Sequence, residues 1–305
     1  MRDKKRLRLV TLSENTAKWL WLLGEWGWSI LVEIDGLRLL FDTGLSFSAA
    51  HNADAMGVDL ADVDKMALSH GHVDHTGGLR DVLERMRLTV GHSNFLEKRH
   101  GVIEVIAHPE VWGPKFIKHP GEEEYSFRGI PFGKGELEGR QGARFIESRG
   151  PVWITDNMVW SGEIPMLNDY EKIVGICYLQ RKDKHVGDGD GFIPDPLEDD
   201  AALYIKTDLG LVIVVGCAHR GIINTIHHAQ SVTGMEKVHM VVGGTHLVNA
   251  SDYQMESTIR ELKKIAVDRV GVSHCTGLES SIKLATGLGM DTFFFNNAGN
   301  VITLP

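Results

Sequence analysis

Apolar and polar positions alternate along this chain in two rhythms, and the change from one to the other marks its elements. Residues 29–34 (Ser-Ile-Leu-Val-Glu-Ile) form a run rich in β-branched side chains, and 37–41 (Leu-Arg-Leu-Leu-Phe) form a second. The Asp35-Gly36 pair between them is a strong turn signal. The runs therefore predict a β-hairpin that delivers Asp42-Thr43-Gly44 at its end. A further buried strand is expected at 63–69. Over 78–86 the rhythm changes: Leu79, Val82, Leu83 and Met86 fall at i, i+3, i+4 and i+7, which is one helix face. Strands are then expected at 88–91, 102–107, 152–160 and 172–179.

The last third alternates. Strands at 202–207 and 211–215 flank the Asp208-Leu-Gly210 turn. They are followed by helix 222–231, strand 237–242, helix 252–265, strand 269–273, helix 282–288 and a late strand at 292–295. Residues 114–150, rich in Gly, Pro and charge, predict a surface excursion and a candidate lid. Residues 182–200, with Gly187, Gly189, Gly191, Pro194 and Pro196, predict a loop. Asp188-Gly-Asp190-Gly within it lacks the third ligand and the closing Glu of an EF-hand, so it is not read as a calcium loop. Each half of the chain has hairpin strands first and strand–helix alternation afterwards, and no break in composition separates them. The expected architecture is α/β, two sheets face to face with helices outside, in a single domain over 1–305.

Composition narrows the function classes. A hydrophobic content of 43% with 24% charged residues fits a globular chain and excludes a disordered one. The formal net charge of −9 argues against general nucleic-acid affinity, which needs an excess of Lys and Arg. The basic cluster Arg2, Lys4, Lys5, Arg6, Arg8 reads as a solvated tail. The most apolar stretch, 19–34, is interrupted by Glu25 and Glu33 and is not expected to span a membrane. Three Cys and no export signal lead to the expectation of a cytoplasmic protein whose partner is a small-molecule substrate. The oligomeric state is not legible.

The chemistry concentrates in Ser69-His70-Gly71-His72-Val73-Asp74-His75-Thr76-Gly77-Gly78, directly after a predicted strand. His70 and His72 are two apart, so in extended chain they point the same way. Asp74 and His75 come where the chain turns into helix. Imidazole nitrogen and carboxylate oxygen suit zinc, iron or manganese, and Gly71, Gly77 and Gly78 let the backbone fold closely around an ion. No Gly-x-Ser-x-Gly elbow, P-loop or Cys-x-x-Cys competes with this reading.

The His-x-His-x-Asp-His motif after a strand, with Phe41-Asp42-Thr43-Gly44 upstream, resembles the metallo-β-lactamase superfamily. Three further segments occur in order: Gly216-Cys217-Ala218-His219-Arg220-Gly221, Gly243-Gly244-Thr245-His246 and Ser273-His274-Cys275-Thr276-Gly277. That series resembles a branch of the superfamily containing metal-dependent hydrolases and a dihydropterin-ribofuranosylaminobenzene-phosphate synthase. The resemblance implies a four-layer αβ/βα sandwich of two mixed sheets with outer helices. It implies two divalent metal ions, zinc first, with manganese or iron as alternatives. His70 and His72 would serve one site, and Asp74, His75 and His274 the other, with Asp42 supporting from behind.

The usual Gly-Asp and the usual third site-one histidine are not visible. His219 is expected to complete site one, with Cys217 or His108 as alternatives. Asp74 would also orient the nucleophile, and His246 would contact substrate or move protons. The implied activity is a metal-dependent hydrolase-type reaction on a small anionic substrate: a phosphoester, a lactone or, in a transferase variant, a pterin diphosphate. An iron-dependent redox enzyme of the same fold and a metal-binding sensor without turnover are the alternatives. Trp19, Trp21, Trp26 and Trp28 read as core or lid, and Trp26 stands where the branch would have His within Glu-His-Gly.

Overall fold

Asp35 and Gly36 both take left-handed φ, 54° and 79°. They join the strands Ser29–Ile34 and Leu37–Phe41 as an antiparallel hairpin, as expected. In the computed structural model, which describes residues 6–90, 96–98, 101–173, 175–180 and 191–305, this hairpin is the centre of a seven-stranded mixed sheet. Parallel strands Lys65–Ala67, Ile103–Ala107 and Ala143–Glu147 extend it on one side. Leu7–Ser13 and Val301–Leu304 extend it antiparallel on the other. A second mixed sheet of seven begins with Val152–Thr155, Met158–Trp160 and Ala202–Thr207. It continues through Gly210–Val215, Val238–Gly244, Arg269–Ser273 and Phe293–Phe295, with the last four mutually parallel.

The period-two pattern distributes each strand between two cores. Leu9, Ile30, Val32, Leu39, Phe41 and Ala67 of the first sheet share one buried cluster with Met158, Trp160, Leu203, Val212, Val214 and Met240 of the second, so these faces pack on each other. The opposite face of the first sheet (Val10, Leu31, Leu40, Val105) is covered by helices Ser48–Ala55, Leu79–Met86 and Lys134–Gln141. The opposite face of the second (Tyr204, Ile213, Val241, Val270) is covered by Ile222–Thr233, Asp252–Ile265 and Leu278–Leu288. Three cores thus order the molecule as helices, sheet, sheet, helices. Each fully buried large aliphatic or aromatic side chain contributes about 1.5–3 kcal/mol.

Several expectations are corrected. The basic start is not all tail: Leu7–Ser13 is a buried strand whose Arg8 pairs with Glu33, and the charge run hid its alternation. The run at 152–160 is a hairpin rather than one strand, and of the described residues in the strand expected at 172–179 only those from Cys177 onward are strand, within Cys177–Gln180. Within 114–150, helix Lys134–Gln141 and strand Ala143–Glu147 are built into the first sheet's side of the molecule, so they are structural rather than an excursion. Lys115–Ile117 and Ser126–Phe127 instead join Cys177–Gln180 and Phe192–Pro194 in a small antiparallel sheet. The Asp188–Asp190 segment lies outside the described residues. Among the described residues no helix is long and apolar enough to cross a membrane.

Candidate metal centre

The sequence-predicted site residues sit at the carboxyl ends of strands that run parallel within each sheet, where α/β architectures place their ligands. Asp42 follows Leu37–Phe41, and the His70–His75 segment follows Lys65–Ala67. Cys217 and His219 follow Gly210–Val215, His246 follows Val238–Gly244, and His274 follows Arg269–Ser273. Asp42, Ala218, His246 and His274 take left-handed φ of 60°, 49°, 48° and 51°. Four non-glycine residues in this sparsely populated region, all at one end of the sandwich, mark backbone held against its preference by the surroundings.

The histidines converge. His70 Nε2 lies 3.0 Å from His72 Nδ1 and 3.2 Å from His219 Nε2. His75 Nε2 lies 3.1 Å from Cys217 Sγ, and His274 Nε2 lies 3.2 Å from Asp74 Oδ2. Two ligand groups share one sulfur: His70, Cys217 and His219, and His75, Cys217 and His274, each with its ligand atoms within 4.8 Å of one another. His219 and Cys217, alternatives in the sequence, are both brought to the cluster. A third group joins Cys217 to His246 and Cys275, and the His246 ring lies 4.2 Å from that of His219. His108 is not brought in: its Nδ1 accepts from the Glu110 N–H and its Nε2 faces Glu163 at 3.0 Å.

Buried partners fix the rings from behind. Asp42 Oδ2 lies 2.7 Å from His75 Nδ1 and accepts the Ser69 hydroxyl at 2.6 Å, while Oδ1 accepts the Ser69 N–H. Ser69 Oγ lies 2.9 Å from His70 Nδ1. Asp42 and His75 thus form a buried carboxylate–imidazole pair. On the far side, Asn15 Oδ1 lies 2.9 Å from His274 Nδ1 and Glu14 accepts the His274 N–H.

The sequence did not reveal a second support. The adjacent carboxylates Asp199 and Asp200 hold one ligand loop each. Asp199 Oδ2 accepts the Gly71 N–H, between His70 and His72, and Asp200 Oδ2 accepts the Arg220 N–H, next to His219. Lys115, buried, bonds Asp195 and Asp199 at 2.8 and 2.9 Å. No local spacing signals this group, because its members lie far apart in sequence.

Electrostatics follow from burial and neighbours. Burial, reinforced by Lys115, pulls His72 down to about 3. Burial and neighbouring histidines also lower His70 and His219, so these rings are neutral donors. Burial acts the same way on His75, but Asp42 and Asp74 outweigh it and raise that ring to about 9. Burial pushes Asp74 up, but His75 and His274 overcome it and hold the carboxylate ionised. Burial pushes Asp200 up to about 7. Two ring nitrogens, His72 Nε2 and His246 Nδ1, are buried without a hydrogen-bond partner. An orphaned buried donor or acceptor costs about 1–3 kcal/mol. Orphaned nitrogens on rings beside a cluster of His, Asp and Cys are what a bound cation would satisfy, and the donor types suit a borderline-soft metal such as zinc.

Fold and site define an α/β sandwich with a candidate metal centre, and known proteins share that arrangement. The family model described as the metallo-β-lactamase superfamily matches residues 27–170. The crystal structure of Tm1679, a metal-dependent hydrolase of the β-lactamase superfamily, superposes with a TM-score of 0.77 at 25% identity, covering 98% of this chain and 99% of that one. In the matched segment and in its fold, the chain is similar to the metallo-β-lactamase superfamily. It is similar to the 7,8-dihydropterin-6-methyl-4-(β-D-ribofuranosyl)-aminobenzene-5′-phosphate synthase of Methanocaldococcus jannaschii, 29% identical over 90% of this chain and 89% of the relative. It is also similar to the uncharacterized protein MJ0448 of the same organism, 27% identical over 95% and 98%.

Proposed function

We propose that the chain is a metal-dependent enzyme with a dinuclear centre, acting on a small anionic substrate such as a phosphoester, a lactone or a pterin diphosphate. The observation that carries this reading is the sulfur shared by two ligand groups. His70, His72 and His219 would hold one divalent ion, Asp74, His75 and His274 the other, with Cys217 between them. Zinc fits the histidine–thiolate set best, with manganese or iron as the alternatives. When bound, such a pair makes water a stronger nucleophile near neutral pH and neutralises charge developing on a phosphate or carbonyl oxygen.

The chain's own residues supply the rest. Asp74 stays ionised and can orient an incoming hydroxyl. His246, with one buried nitrogen unpaired, is placed to pass a proton to a departing group. Asp42 and Ser69 keep His70 and His75 in fixed tautomers and directions.

The similarity to a synthase over nine-tenths of the chain favours a second reaction type on the same site. In that reading the chain joins two substrates with loss of an anionic leaving group. Protein reconstituted with zinc, manganese or iron, assayed against phosphodiesters, lactones and pterin diphosphates with and without an arylamine acceptor, separates the two. Turnover without acceptor supports hydrolysis, and turnover only with acceptor supports transfer. In either case the activity should vanish in His72→Ala. Activity indifferent to that substitution would refute metal catalysis.

A further inference from the structure

Trp26 is expected from sequence to lie in the core or a lid, yet it is 55% exposed and its ring lies 5.2 Å from that of His274, tilted by 57°. It therefore stands with one side toward the buried cluster and another toward solvent. Its neighbour Trp28 took the core position instead.

The backbone on both sides of Trp26 is locked. The Glu25 carboxylate accepts from the Leu45 N–H at 3.0 Å, the Ser46 N–H at 3.1 Å and the Ser48 hydroxyl at 2.5 Å. Gly27 is pressed against Leu45 N and Asp74 O so closely that a Cβ would lie 2.7 and 3.0 Å from them. Trp28 N–H donates to Asp74 O, and Gly44 N–H donates to Trp28 O. The loop gripped by Glu25 also presents Phe47, 57% exposed. An indole on a rigid support loses little freedom when a flat partner settles on it, so its apolar face is pre-organised for stacking.

We propose that Trp26 is a specificity-determining platform on which the substrate stacks a planar aromatic or heteroaromatic ring while its anionic group reaches the metal centre. This rests on the dinuclear-enzyme reading and narrows it. The substrate would be an aryl or heteroaryl compound whose ester or phosphate lies close to its ring system, within the short span from the indole to His274. Trp26→Phe would keep a stacking face, and Trp26→Ala would remove it.

The test is binding of two simple ligands, 1-naphthyl phosphate and ethyl phosphate, to the zinc-loaded full chain, measured by calorimetry. The readout is the ratio of their dissociation constants, which cancels any effect of the substitution on the metals themselves. The wild-type protein should prefer the naphthyl ligand by about tenfold or more, the scale of one ring stacked on an aromatic side chain. The preference should fall close to one in Trp26→Ala and be largely kept in Trp26→Phe. An unchanged preference in Trp26→Ala, or none in wild type, would overturn the platform while ethyl phosphate binding left the metal-centre reading standing. If neither phosphate bound the zinc-loaded wild type, the metal-centre reading would fall and take the platform with it.

Discussion

At the residue scale, the site depends on side chains that hold ligands as much as on the ligands. Asp42 has both oxygens committed, to Ser69 and His75. Asp42→Ala should lower metal affinity by about 10–100-fold, the usual cost of losing a partner behind a ligating histidine, and competition with a chelator measures it. Gly216 faces the same pair: a Cβ there would lie 2.2 Å from Ser69 Oγ and 3.0 Å from Asp42 Oδ2. Gly216→Ala should weaken metal retention in the same assay, and retention equal to wild type would contradict the role given to Ser69. The buried rings also set a pH dependence. A ring held neutral, like His72 at about 3, gives stability that is complete above the unfolded value of 6.5 and lost as pH falls through it, since the unfolded chain takes the proton first. His70 and His219 act in the same direction. His75, raised to about 9, acts oppositely, with its contribution lost between 6.5 and 9. Below pH 6.5 His75 carries its proton in both states, and the three depressed rings outnumber Asp200, raised to about 7 and acting against them, so the metal-free protein should lose stability between about pH 6.5 and pH 5, by up to about 1.4 kcal/mol per pH unit for each net proton. Denaturant melts across that range check this, and a flat profile would contradict it.

At the element scale, strand ends and turns were legible and long-range supports were not. The Asp35-Gly36 hairpin, helix Asp252–Ile265 and strand Arg269–Ser273 stand at the residues their patterns indicated. So does the His70–His75 loop, because its candidate ligands lie within six residues of one another. Leu7–Ser13 was hidden by the charges beside it, and the strap of Asp195, Asp199 and Asp200 by its distance from Lys115 in sequence. The strap ties the His70–His72 loop to the Cys217–His219 loop. Lys115→Met would leave two buried carboxylates without their cation, and breaking such a pair costs about 3–5 kcal/mol. Urea unfolding should show that loss, and a cost below about 1 kcal/mol, the level of an exposed pair, would show the strap is not a support.

At the scale of the whole molecule, two sheets share one core and bring their strand tips to one end, where the ends of four strands contribute candidate ligands no single segment could assemble. The architecture was legible from the repeated hairpin-then-alternation pattern of the two halves. What could not be read was which side chain stands between the ligand groups, because Cys217 departs from the usual aspartate and only tertiary structure brings it to both. The central claim is therefore tested most directly by metal content. The wild-type chain and Cys217→Ala should be reconstituted with zinc, dialysed against weak chelator and analysed by elemental mass spectrometry. Two ions per chain in the wild type, with one or none retained in Cys217→Ala, is the expected result. Fewer than one ion in the wild type, or two held equally well without the sulfur, would contradict a dinuclear centre built on Cys217.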